Sequence, residues 1–112
     1  MMNIFRLRPA YKSKELLIEF TSGAERDNFV SSLEKALKCI NVKITGSQDL
    51  WMNDELLFEA TSDLGAFLLS IDSWGLAFIM SKENQILITE IDSILNRNIN
   101  FKKVTVDFEN YK

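Results

Sequence analysis

The sequence predicts an α+β fold, a two-layer sandwich with two helices packed on one face of a mainly antiparallel sheet. Three observations lead there. Apolar residues recur at helical spacing in only two stretches, 29–40 and 87–95. Elsewhere they alternate with polar residues in short runs, bounded by Gly, Asp, Asn and Ser at turn positions. The helical stretches also interrupt runs of hairpins, the pattern of helices laid on an antiparallel sheet. At 112 residues the chain is one α+β domain, 1–112, with length for a single core.

Each element has its own signal. NIFRLR at 3–8 suits a strand, and Pro9 stops it. In ELLIEFT, 15–21, Leu16, Ile18 and Phe20 share one face while Leu17, Glu19 and Thr21 share the other. With KSK at 12–14 as the turn, the two segments form a hairpin. Ser22 and Glu25 then make a capping-box pair, each side chain satisfying a backbone donor at a helix start. Phe29, Val30, Leu33, Ala36, Leu37 and Ile40 form the stripe of that helix, leaving Arg26, Asp27, Glu34, Lys35 and Lys38 to solvent.

NVKIT at 41–45 reads as a short strand closed by Gly46, and 46–54 as a loop. Three strands follow, at 56–61, 65–72 and 75–81, with turns at Asp63–Gly65 and Ser73–Gly75. Leu76–Met80 is apolar on both faces, as in a central strand covered on both sides. Ser81 caps a second helix over 82–97, whose stripe is Leu87, Ile88, Ile91, Ile94 and Leu95, with Glu90 and Asp92 on the solvent side. QILITEI alone would also suit a strand, but the stripe persists over about three turns, which favours the helix. Asn96 or Asn98 can end it in the left-handed conformation. FKKVTVDFENY alternates Val104, Val106 and Phe108 with polar residues and reads as a long terminal strand.

The chemistry is bounded by what is missing. The chain has no histidine, so no Ser-His or Cys-His pair and no imidazole ligand can form. Cys39 is single and lies near a helix C-terminus, where partial negative charge disfavours the thiolate; it reads as a half-buried structural thiol. Asp63 and Asp72 could act as a catalytic acid pair only if they met across a cleft, and acids at turns more often bond the local backbone. No phosphate loop, EF-hand or Cys/His metal spacing is present. No enzyme activity, metal or cofactor is expected. No apolar run reaches the roughly 18–20 residues of a membrane span, and MMNIFRLRP lacks a signal-peptide core, so the expected location is cytoplasmic.

The formal charge of −3 is unevenly spread. Residues 1–48 carry eight Lys/Arg against five Asp/Glu, whereas residues 49–96 carry Lys82 alone against nine acids. That middle argues against nucleic acid as a partner and fits a basic protein. Arg6 and Arg8 share a face of the first strand and read as charges that guard a sheet edge.

Within the acidic middle lie Trp51 and Met52, in SQDLWMNDE, and Trp74, in SIDSWG. If strands 56–61 and 65–72 form a hairpin, Trp51 and Trp74 fall near one end of it. Asp49, Asp54, Glu55, Asp63 and Asp72 would join them in an acidic, aromatic patch of the kind that anchors protein interfaces. Trp51, in a loop, favours the contact role. Trp74 precedes a strand directly, which favours an indole plugging the end of the sandwich.

The acidic aromatic segments LWMNDE and SIDSWG, the tail VTVDFENYK, and the size and element order together resemble the immunity proteins of bacterial polymorphic and contact-dependent toxin systems. That resemblance implies a stoichiometric inhibitor of a cognate toxin, often a basic nuclease. The alternative is a structural homodimer or assembly subunit, joined through Leu17, Leu57 and the outer face of 76–80.

Overall fold

The computed structural model describes residues 3–10, 13–50, 55–81 and 83–111. Its strands are β1 (Asn3–Pro9), β2 (Leu16–Ser22), β3 (Lys43–Leu50), β4 (Glu55–Ser62), β5 (Gly65–Asp72), β6 (Ala77–Met80) and β7 (Phe101–Lys103). The helices are α1 (Phe29–Ala36) and α2 (Gln85–Asn96). The strands form one sheet in the order β3-β4-β5-β6-β2-β1-β7. Every neighbouring pair is antiparallel except β1 with β7. This is the α+β fold the periodicities predict.

Topology explains why both helices share a face. The connection β2–α1–β3 and the connection β6–α2–β7 each join parallel strands, and they cross the sheet in opposite directions. Their starting strands, β2 and β6, also point in opposite directions. Two right-handed crossovers related in this way must lie on the same side of the sheet. The core agrees with that. Phe29, Leu33 and Leu37 from one helical segment and Leu87, Ile88, Ile91 and Leu95 from the other pack with Phe5, Ile18, Phe20, Phe67, Leu69 and Ile79 in one cluster.

Several boundaries differ from those predicted. The first helix begins at Phe29, not after Ser22, because Gly23 turns the chain at φ +102°. A Cβ there would meet Asn3 Oδ1 at 1.9 Å, so only glycine allows the loop to close on β1. The Glu25 half of the capping box survives as a bond from the Gly23 N–H to Glu25 Oε2 at 3.1 Å. Arg26 turns inward, not to solvent, and its Nη1 donates to buried Asn3 at 3.1 Å. Cys39 is exposed, in a 3-10 turn at Lys38–Ile40 that follows α1.

β3 continues through Gly46, which falls at a register shift between Thr45 and Ser47. The glycine marks a bulge and does not end the strand. The second helix is capped by Asn84, whose side chain accepts from the Leu87 N–H at 3.1 Å, while Ser81 donates to the Ala66 carbonyl. It ends in a right-handed Arg97; the left-handed asparagine is Asn41, φ +53°, after the 3-10 turn. Asp92 faces the interior, not solvent, and accepts from Lys103 Nζ at 2.9 Å. The terminal strand stops at Lys103. Asp107 accepts from the Glu109 N–H and opens a 3-10 turn at Phe108–Tyr111, a local bond that competes with the ladder.

β6 is the middle strand, as its composition predicts, but neither α-helix covers its outer side. That outer face holds the fold's main polar cluster. Glu19, 5% exposed on β2, pairs with Arg6 and, at 3.0 Å, with Arg8, both on β1. The Arg8 guanidinium also sits 5.7 Å from the Phe78 ring centroid. β7 flanks β1 only from Asn3 to Phe5, so Arg6 and Arg8 lie on a stretch that pairs with β2, and both turn their charge onto Glu19. They neutralise a carboxylate in the middle of a sheet. Burial raises the Glu19 pKa, but the bonds and charges of Arg8 and Arg6 outweigh it and hold the carboxyl below its ordinary value.

Candidate functional site

The register decides which of the acidic and aromatic residues can meet. β4 and β5 do form the hairpin, with Glu55 opposite Asp72 at one end and Ser62 opposite Gly65 at the other. Leu50 on β3 pairs with Glu55, so the β3–β4 connection and the β5–β6 turn leave the sheet at the same end. Asp49 lies in β3 opposite Leu56, one step from that end. Trp51, Met52 and Asp54 lie outside the described residues.

Asp63 does not belong to this group. It sits in the turn between β4 and β5, and seven strand steps separate that turn from Asp72, a span of about 23 Å. Its carboxylate accepts from Asn41 Nδ2 at 2.8 Å, and its backbone N–H donates to the Ile40 carbonyl. Asp63 therefore fastens the hairpin to the end of the α1 segment. The same separation prevents Asp63 and Asp72 from acting as an acid pair on one substrate.

At the other end the chain reverses within a few residues. Asp72 Oδ1 accepts from the Trp74 N–H at 2.9 Å and from the Leu76 N–H at 3.0 Å. The Asp72 N–H in turn donates to the Leu76 carbonyl at 2.9 Å. Gly75 completes the reversal at φ +83°. This ring of bonds fixes the backbone and turns the indole outward. Trp74 is 78% exposed, so it does not plug the sandwich. The strand after it begins only at Ala77, and the tight turn leaves the side chain no route back to the core.

A residue that the sequence assigns to capping joins the site. Exposed Glu25 packs against the turn, its Oε2 lying 3.2 Å from where a Gly75 Cβ would stand. Its position follows from the left-handed Gly23, and no periodicity in the sequence reports it. The assembled end of the sheet thus presents an exposed indole beside two carboxylates, Asp72 and Glu25, with the chain of Asp49 and Glu55 alongside. Such a surface can bind, by apolar contact and by charge. Among the described residues no three acidic or sulfur side chains gather as a metal-ligand set, and no helix is long and apolar enough to cross a membrane.

No family model, curated protein or solved structure matches this chain.

Proposed function

We propose that this chain is a non-enzymatic protein-binding module, an immunity-type inhibitor that neutralises a basic protein such as a nuclease. The contact surface is the end of the sheet that carries Trp74. The carrying observation is an indole 78% exposed on a turn locked by the Asp72 carboxylate. Leaving a tryptophan in water forgoes the burial that would favour folding, whereas presenting it on a rigid turn lowers the entropy cost of binding. Asp72 and Glu25 supply the charge that steers a basic partner toward it.

The test separates contact from fold. A basic protein captured on the wild-type chain should bind Trp74→Ala more weakly by about 2 kcal/mol, roughly 30-fold. Urea unfolding of the variant should stay within about 0.5 kcal/mol of wild type, since the side chain stands mostly in solvent. Unchanged affinity in the calorimeter would remove Trp74 from the interface.

A further inference from the structure

The outer face of the sheet carries a groove of about 710 Å³ at the end away from Trp74, beside the β4–β5 turn. Its apolar floor includes Leu17, Leu68 and Met80. Leu68 stands directly opposite Met80 across β5 and β6 and is 40% exposed, although neither helix covers this side. Glu15, Glu59 and Glu83 line the same groove, and no described lining residue is cationic. Lys82, between Ser81 and Glu83, lies outside the described residues.

These features restrict what can fill it. The strands beneath the floor, β4, β5, β6 and β2, lie inside the sheet, and where the β6 ladder ends the side chains of Gln85 and Ser81 bond the backbone of Leu16 and Ala66, so a guest on this face does not join the sheet as a further strand. It must lie on the face with its own backbone already hydrogen-bonded, which is what a helix provides. From Thr45 on β3 to Leu17 on β2 is four inter-strand steps, about 19 Å, the length of roughly twelve helical residues. A second copy of this chain fits poorly. A two-fold contact would set Glu15, Glu59 and Glu83 against the same three carboxylates of its mate.

We infer that this groove docks an amphipathic helix of a partner protein, about three turns long, apolar on one side and flanked by Lys or Arg. The site stands apart from Trp74 and does not depend on it.

The experiment is an amide NMR titration with two synthetic fourteen-residue amphipathic helices, one built of Leu and Lys and the other of Leu and Glu. The Leu/Lys peptide should shift the amides of Leu17, Leu68 and Met80, and the Leu/Glu peptide should not. Leu68→Arg should weaken binding tenfold or more. Because Leu68 is part-exposed, the variant should keep a wild-type amide spectrum, which the same experiment reads directly. Should it fail to fold, the pair Glu59→Gln with Glu83→Gln decides instead: binding should fall severalfold and lose much of its salt dependence.

Trp74→Ala should leave peptide binding unchanged, so failure at either end of the sheet is scored separately. Three results overturn the inference. The first is a peptide that binds folded Leu68→Arg, or the glutamine pair, as well as wild type. The second is binding of neither peptide. The third is a dimer in sedimentation that Leu68→Arg dissociates, which would make the occupant a second copy.

Discussion

Replacing Phe20 by alanine should cost roughly 3–5 kcal/mol, a large part of the 5–15 kcal/mol that holds a typical domain folded. The ring is fully buried. It meets Phe29 edge-on at 5.0 Å, Phe101 at 6.1 Å and Phe5 at 6.2 Å between centroids. Those contacts join β2 to the first residue of α1, to β7 and to β1, so a single truncation leaves a cavity at the meeting point of four elements. Phe20→Leu keeps most of the volume and should cost less than about 1.5 kcal/mol. Urea denaturation of both variants checks the pair. A loss under about 1 kcal/mol for the alanine would mean that the surrounding rings collapse into the space, and that this cluster is not the joint of the fold.

Glu19→Ala should be nearly as damaging, at about 3 kcal/mol, by a different route. Removing the carboxylate takes away the buried countercharge that Arg6 and Arg8 share, and one-sided loss of a buried pair typically costs 3–5 kcal/mol. The lower end applies because Arg6 is one-third exposed and water screens it. The pH dependence carries a sign that can be checked. The folded carboxyl titrates below its ordinary value, so its contribution is present in full above the unfolded pKa, near 4.3. It disappears as the pH falls through the lowered folded value. The stability gap between wild type and Glu19→Gln should therefore be constant near neutrality and narrow below about pH 4. A gap that stays constant down through acid would show that the charge of Glu19 is not what stabilises the sheet.

Glu19 also shows where sequence reading stops. Its alternation with Ile18 and Phe20 placed it on the outer face, but nothing local shows that Arg6 and Arg8 would be its cross-strand neighbours. Pairing partners are set by register, and register depends on the whole hairpin. Elements with strong periodicity were legible: both helical stripes, the β4–β5 hairpin and the central position of β6. Their ends were not, because single side chains chose them. Gly23 delayed α1, Asn84 displaced Ser81 as the cap of α2, and Asp107 drew the terminal segment out of the sheet.

The candidate site divides in the same way. Asp72 and Trp74 were legible as turn residues within an acidic stretch. The exposure of the indole was not, since it follows from two hydrogen bonds that close the turn. Asp63 shares that acidic stretch yet lies at the far end of the hairpin, because proximity in sequence reverses along an eight-residue strand pair. Glu25 came to the site through a loop that a single glycine bends.

The strand order bears on how the molecule assembles. From β3 to β6 each strand pairs with the next in sequence, a meander built by short loop closures. The hairpin of β1 and β2 joins it where Ile18–Phe20 meets Ala77–Ile79, and β7 completes the sheet where Phe101–Lys103 reaches Asn3–Phe5. Such closures are entropically expensive and slow. Kinetic order is thereby inverted relative to synthesis. The β1–β2 hairpin, synthesised before the other strands of the sheet, has to wait, with both of its flanks open, for strands that emerge much later.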